Sequence, residues 1–154
     1  MSQTPVPYKN QLVNIIKSAL QNRMAEANAA IISAKDSRDS DTKSSAGDKY
    51  ETGREMMQME MNKAELQMQA AKKLLHELDK IDLKSSGNKV KPGSLVTTNR
   101  EIFFMTIGFG KIEFEGKEVF VISPASPLGT ILLNKATGTS FSFQGIERLI
   151  VSVI

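Results

Sequence analysis

The chain has 154 residues, with 20 Lys and Arg against 17 Asp and Glu, one His, and neither Cys nor Trp. This length accommodates one ordinary domain or two small ones. Because Cys is absent, the chain cannot form a disulfide, a thiolate metal site or a cysteine nucleophile, and the single His76 excludes a site built from several histidines. The net charge of +3 is mild. It leaves weak contact with acidic surfaces or DNA open, but it does not predict a dedicated nucleic-acid binder.

Hydropathy along the chain bears on the compartment. No apolar stretch approaches the roughly 20 residues that a membrane-spanning helix needs. The N-terminal residues MSQTPVPYKN contain no apolar signal region. We therefore expect a soluble, cytoplasmic protein without a membrane partner.

The composition changes sharply near residue 85. Residues 8–83 contain no Pro and only two Gly, and they are rich in the helix formers Ala, Met, Leu, Lys, Glu and Gln. Residues 90–154 contain seven of the ten Gly and all seven Phe, with runs of Ile, Val and Thr that favour strands. We predict an α+β protein with a helical module at 1–84, a linker at 85–92 and a β-rich domain at 93–154.

Two apolar stripes run through the helical half. Both advance in steps of three or four residues, and the second keeps the alternation typical of a coiled-coil seam. The stripes are Val13, Ile16, Leu20, Met24, Ala27, Ile31 and Ala34, and then Met57, Met61, Ala64, Met68, Ala71, Leu75 and Leu78. Cap and turn residues separate them. This pattern predicts an antiparallel hairpin of helices about 28 to 33 residues long, each about 40 Å, with a charged tip near 36–51.

A heptad seam taken alone also fits a dimerisation coiled coil. Here each helix carries one stripe, and the antiparallel partner helix within the chain already covers it. We therefore expect a monomer. Met56 and Met59 fall off the seam, which leaves a role for them in contact with a partner open.

The second half predicts a small sheet and one short helix. Ser126 is a plausible N-cap, with Pro127 at the first helical position. Gly116 indicates a tight hairpin turn. The predicted antiparallel strands cover 94–98, 102–107, 111–115, 119–122, 140–144 and 148–153.

One segment of this half resembles a known family. Ser126-Pro127-Leu128-Gly129, continued by Leu132-Leu133, Lys135 and Gly138, resembles the SPLGxxLLxKxxG signature of the Gre transcript cleavage factors. Gly93-Ser94-Leu95-Val96-Thr97 resembles the GSxVT that opens their C-terminal domain. A helical hairpin followed by a small β domain also matches their order of modules, so the resemblance spans nearly the whole chain.

The resemblance implies a partner and a mode of action. The C-terminal domain would be FKBP-like and would dock at the rim of the secondary channel of bacterial RNA polymerase, with Ser126, Pro127, Leu128 and Gly129 as the anchor. The coiled coil would enter the channel and act on nascent RNA indirectly. The protein would not be an enzyme and would hold no cofactor of its own. Its tip carboxylates would help the polymerase hold Mg²⁺ and position the water that cleaves backtracked RNA.

The tip allows two registers against the family's pattern. Gly47-Asp48-Lys49-Tyr50-Glu51 keeps the family's G-D-x-x-E spacing, so the resemblance assigns the two acids to Asp48 and Glu51. Alignment on the tyrosine would instead place Lys43 and Ala46 at these positions, and Asp41 could replace either acid.

The Asn that follows the acids in the family is Thr52 here. A regulator or inhibitor that binds the channel without cleavage activity therefore remains an alternative. A coiled-coil adaptor unrelated to polymerase is the other alternative.

Overall fold

The computed structural model describes the backbone of residues 5–41, 47–84 and 87–154 and the side chains of residues 8–39, 51–84 and 87–154. Two long helices come first, α1 (Pro5–Asp41) and α2 (Gly47–Asp79). The later elements are β1 (Leu95–Thr98), β2 (Ile102–Met105), β3 (Gly110–Phe114), β4 (Lys117–Ile122), α3 (Pro127–Leu132), β5 (Ser140–Phe143) and β6 (Ile146–Val153). The protein is therefore α+β, as predicted. It forms two compact units, one of Met1–Lys17 with His76–Ile154 and one of Ser18–Leu75. The sequence boundary at 85–92 stays a prediction.

Helix α1 has 37 residues and is longer than predicted. It begins at Pro5, and its first turn tolerates proline because the N–H groups there have no helical acceptor. It continues to Asp41, through residues that were expected to form a turn. Arg38 explains this extension in part: it lies in the last turn, where a cation suits the helix dipole, and its Nη1 donates to Gln58 Oε1 of α2 at 3.0 Å.

The two helices bury the predicted seam within Ser18–Leu75. Its most buried members are at most 8% exposed: Leu20, Ala27, Ala34, Met61, Ala64 and Ala71. The seam positions Met24, Ile31, Met57 and Met68 are half-buried. The heptad pattern is confirmed, and burial of this seam supplies the hydrophobic contribution that holds the helix pair.

The strands form one six-stranded sheet in the order β3-β4-β2-β1-β6-β5. One pair departs from the antiparallel sheet that we predicted, because β2 and β4 run parallel. The connection from β2 to β3 accounts for this. Thr106 N donates to Ile122 O at 2.9 Å, so the chain leaves β2 along the flank of β4, and β3 enters one strand further out.

Two of the hairpins, β3–β4 and β5–β6, use two-residue turns with positive φ at each residue. The turn between β3 and β4 has φ of 51° at Glu115 and 75° at Gly116, and the turn between β5 and β6 has 53° at Gln144 and 77° at Gly145. Type I′ turns require this backbone, and glycine adopts it without the strain that a Cβ introduces. The tight turn predicted at Gly116 is confirmed.

Each face of the sheet is buried by a different element. The face that carries Val96, Phe103 and Ile150 packs against α3 through Leu128 and Leu132. Residues of opposite parity are buried on the other face: Leu95, Phe104, Ile112, Val119 and Val121. The ring of Tyr8 meets Phe114 edge-on, with centroids 4.9 Å apart. The start of α1 therefore lies against this second face.

A lysine is buried where the helices meet the sheet. Lys9 has no exposed surface, and its Nζ donates to Leu83 O at 3.1 Å. Burial, and to a smaller degree the charge of Lys91, lower the pKa of Lys9 to about 8, and Asp82 opposes the shift. Gly93 packs closely against the backbone of Asp82. A Cβ at position 93 would lie 2.0 Å from Asp82 O, so a larger residue there would displace this segment.

We expect Lys9 to make stability depend on pH. Its pKa falls from an ordinary 10.5 to about 8 on folding, so the unfolded chain binds more protons between these values and stability rises with pH across this window. Replacing Lys9 with Met should remove that rise, which we expect to be about 2 kcal/mol. Urea unfolding from pH 7 to 10.5 measures it. The matched control is Lys80→Met, at an exposed position; an unchanged slope in Lys9→Met would contradict the expectation.

Candidate functional site

The predicted tip acids fall at the start of α2. Because α2 begins at Gly47, the spacing of Asp48 and Glu51 places the two residues three apart on one side of its first turns. The Glu51 side chain is exposed. The side chains of Asp48 and Asp41 lie outside those that the structure describes, although Asp41 is the last residue of α1 and not part of a turn.

The second register falls on residues 43 and 46. Lys43 and Ala46 both lie outside the described residues. Of the tip residues singled out as candidate acids or their alternatives, Glu51 is therefore the one whose side chain the structure describes. Its assignment as a donated carboxylate stays a prediction.

Glu51 lines a shallow concavity near the start of α2. Arg54, Glu55 and Gln58 line it with Glu51, and its volume is about 290 Å³. Gln58 accepts from Arg38 at 3.0 Å and donates from Nε2 to Asn62 Oδ1 at 3.0 Å. This hydrogen-bonded series joins α1 to α2 beside Glu51.

Sequence reasoning missed the contact between Arg38 and Gln58. Arg38 follows Ala34 by four residues and so continues the seam of α1 at the next position. A polar residue at a seam position indicates a partner across the helix pair. That signal was present in the sequence.

Glu51 is the one predicted metal ligand at the tip whose side chain the structure describes. Among residues 8–39, 51–84 and 87–154, whose side chains are described, no group of three or more His, Asp or Glu side chains could hold a metal ion. Mg²⁺ prefers hard oxygen ligands in octahedral geometry and is often bound by one or two carboxylates with water and phosphate oxygens. The exposed Glu51 fits such an ion as one donor to a site that another molecule completes.

The predicted anchor residues have roles in the local structure. Ser126 caps α3: its Oγ accepts from Gly129 N at 3.0 Å and donates to Ser123 O at 2.7 Å. Gly129 is buried, and a Cβ there would lie 2.1 Å from Ser123 O. Leu128 packs on the core of the sheet. Pro127 is the one exposed member of the four, so a partner would meet it most readily, and polymerase docking stays a prediction.

A buried ion pair near the β1–β2 turn was not predicted. Arg148 is 9% exposed, and it donates to Glu101 from Nε at 2.7 Å and from Nη2 at 2.9 Å. Its Nη1 donates to Phe143 O and Ile146 O, both at 3.1 Å. The hydrogen bond to Glu101 raises the pKa of Arg148. The period of two along β6 places Arg148 on the inward face with Ile150, which could have indicated a buried partner.

The ion pair of Arg148 with Glu101 also sets the position of one residue that lines a surface cavity. Glu101 lines a surface cavity of about 490 Å³ with Thr97, Arg100 and Lys117 among its other residues. Because Glu101 accepts from Arg148 through both carboxylate oxygens, its position relative to the β5–β6 turn is set. The pair is therefore a structural tie.

We expect Glu101→Gln to destabilise the protein by about 2 kcal/mol, because it leaves the largely buried guanidinium of Arg148 without its counter-charge. Thermal or urea unfolding measures the loss. Glu118→Gln is the matched control. Its partner Lys111 lies 3.2 Å away with both side chains about half exposed, so the loss there should stay below about 1 kcal/mol. Equal losses would contradict the expectation.

Substitutions can separate the two roles considered for the α3 segment, which are capping of the helix and docking on a partner. Ser126→Ala should lower stability by about 1 kcal/mol, because it removes the cap of α3. Pro127→Ser changes an exposed position and should leave the free energy of unfolding within about 0.5 kcal/mol of the original value. If Pro127→Ser instead weakens binding to RNA polymerase with stability unchanged, the segment is a docking surface as well as a capped helix.

His76 is exposed near the end of α2, and no described residue makes it part of a catalytic group.

No helix in the described ranges combines the length and the apolar character that crossing a bilayer requires.

Comparison with known proteins finds no relative. No protein-family model matches the chain, and no curated protein matches it.

Proposed function

We propose that this protein is a Gre-like factor that binds bacterial RNA polymerase and inserts its helical hairpin into the secondary channel to regulate transcript elongation. In this proposal it is not a complete enzyme. It supplies side chains to the active site of the polymerase and touches nascent RNA only indirectly. Stimulated cleavage of backtracked RNA is the activity that we assign to it.

One observation carries the proposal. The first turn of α2 begins at Gly47, so the G-D-x-x-E spacing is helical, and it ends on the exposed carboxylate of Glu51. A carboxylate at the turn-proximal end of a two-helix hairpin can reach a narrow site that a globular domain cannot enter. The capped α3 segment, which carries the SPLG residues, supports the same assignment from the other half of the chain.

The residues of this chain have separate tasks in the proposed mechanism. Glu51 would offer a hard oxygen ligand to a Mg²⁺ ion held by the polymerase, and that ion would supply the activation of a water molecule. The Arg38–Gln58 hydrogen bond, at 3.0 Å, limits movement of the helix ends on which the carboxylate is carried. Orientation of this kind matters because small misplacements of a catalytic group cost large factors in rate.

A second candidate function rests on Arg54. This residue lines the same concavity as Glu51 and Glu55, so a guanidinium lies in the same small volume as the carboxylates. A neighbouring cation competes with a metal ion for a carboxylate. A hairpin with this arrangement suits a regulator that occupies the channel without stimulating cleavage.

Cleavage of RNA in a stalled, backtracked complex of purified bacterial polymerase tests the proposal. We expect the unmodified protein to accelerate cleavage, and we expect Glu51→Gln to lower that stimulation at least tenfold with polymerase affinity unchanged, since a neutral amide is a much weaker ligand for Mg²⁺. Glu65→Gln is the matched control, because Glu65 is also exposed on α2 but lies 14 residues further along the helix.

The outcomes separate the candidates. Binding to polymerase without stimulation, in a protein that slows elongation, favours the channel regulator, and gain of stimulation in Arg54→Ala would assign the inhibition to that residue. Failure to bind core polymerase in a pull-down overturns both candidates and leaves the coiled-coil adaptor. Full stimulation by Glu51→Gln would show that the favoured register is wrong.

A further inference from the structure

The outer side of α2 carries apolar side chains that the hairpin does not use. Met56 is 59% exposed, Met59 is 70% exposed and Leu66 is 67% exposed. With Ala70 they follow steps of three, seven and four residues, so they share one stripe on the side of the helix opposite the buried seam. Large apolar side chains at this exposure on neighbouring turns indicate a contact surface.

A groove lies beside this stripe. It has a volume of about 320 Å³; its apolar floor includes Ala27, Ala70, Ala71 and Leu74, and Arg23 and Glu26 lie at its rim. The groove exists because alanine occupies positions where larger residues would fill the space between the helices. Ala70 belongs both to the groove and to the stripe.

The stripe has a pattern that matches its own reverse to within one residue. Read outward from Lys63, Met59 stands four residues before it and Leu66 three after it, while Met56 and Ala70 each stand seven away. In an antiparallel pair of α2 helices with a twofold axis at Lys63, Met59 therefore lies about 1.5 Å along the helix axis from Leu66 of the other copy, which is close enough for the two side chains to meet. Met56 faces the groove at Ala70 of the other copy.

The charges along α2 follow the same symmetry. Residues 51–60 contain Glu51, Glu55 and Glu60 against Arg54, a net charge of −2. Residues 66–75, which face residues 51–60 about an axis at Lys63, contain Lys72 and Lys73 and no acidic residue, a net charge of +2. Antiparallel pairing brings the acidic segment of each copy opposite the basic segment of the other, which is electrostatic complementarity of an isologous interface.

We propose that the outer face of α2, from Met56 to Lys73, is a self-association surface on which a second copy of this chain pairs antiparallel about Lys63, with Met56 of each copy seated in the groove at Ala70 of the other. Three large apolar side chains per copy make a contact smaller than the roughly 800 Å² per partner of a standard interface. The dimer is therefore weak and forms only at high protein concentration. The monomer expected from the sequence is the dilute form.

The absence of Cys from the chain makes cross-linking a clean test of register. The full-length variant Met56→Cys with Ala70→Cys, oxidised with oxidised glutathione, should form covalent dimers. The two sites cannot join within one molecule, because 14 residues of helix separate them by about 21 Å and a disulfide needs Cα atoms within about 7 Å. The single variant Lys63→Cys should also form a dimer, because this position lies on the axis.

Lys73→Cys alone is the matched control, since position 73 faces position 53 and not itself. It should yield at most one tenth of the covalent dimer that Lys63→Cys yields under the same conditions. Equal yields from both single variants would indicate random collision and would overturn the proposal.

Sedimentation equilibrium of the unmodified chain over a concentration series gives an independent reading. The mass should rise from that of the monomer toward twice that value, and Met59→Glu should weaken the association at least tenfold. Ile32→Glu, at a position 53% exposed on α1, should leave it unchanged. Lys63→Leu should strengthen it at least tenfold, because it removes the repulsion at the axis and completes the stripe. A mass that stays monomeric to millimolar concentration, or a dimer insensitive to Met59→Glu, would refute the surface.

The proposal is independent of polymerase binding. Its readouts are mass and cross-linking of the protein alone, so they can succeed where a pull-down of polymerase fails, and the reverse. If both hold, the dimer buries the face of α2 that a channel would surround, and high concentration of the factor lowers its own access to the polymerase.

Discussion

The six-stranded sheet can exist as it does because both of its faces are covered. Strands with buried residues at successive positions, such as Phe103, Phe104 and Met105, need apolar partners above and below. The short helix α3 covers one face, and the start of α1 covers the other through contacts such as Tyr8 on Phe114. Removing either cover would expose a row of large apolar side chains to water, at a cost of about 25 cal/mol for each Å². The start of α1 is thus part of the core of the unit that contains the sheet.

Two basic side chains are buried in the unit that contains the sheet, and their environments differ. Arg148 has a carboxylate partner in Glu101 and two further carbonyl acceptors, so its charge is compensated. Lys9 has one carbonyl acceptor, Leu83 O, and burial lowers its pKa. A compensated guanidinium ties two turns together over a wide pH range, whereas a lysine with a single neutral acceptor loses part of its solvation when the chain folds. Arg148 therefore connects the two turns at any ordinary pH, whereas Lys9 makes stability depend on pH.

The functional proposals place different demands on one pair of helices. A donated carboxylate requires a stiff support, which the buried seam and the Arg38–Gln58 hydrogen bond at 3.0 Å supply. Contact with a second copy requires exposed apolar surface on the opposite side, which Met56, Met59 and Leu66 supply. The heptad repeat permits both, because a seam uses only two of seven positions and leaves the outer positions open to other constraints. For the same reason, a single helix can carry structural and recognition residues in alternation.

Much of this architecture was predictable from local pattern. The seam, the six strands, the turn at Gly116 and the cap at Ser126 follow from periodicity and turn chemistry that act within a few residues. The parallel pairing of β2 with β4, the ion pair of Arg148 with Glu101 across 47 positions, and the burial of Lys9 depend on residues far apart in the chain. The tip acids were proposed from a motif, and its spacing fixed a helical arrangement but not the partner that it addresses. Sequence alone determined which residues face inward along each element, because that is a property of helix and strand geometry; only the tertiary structure decided which of these elements meet, because that is set by packing between distant segments.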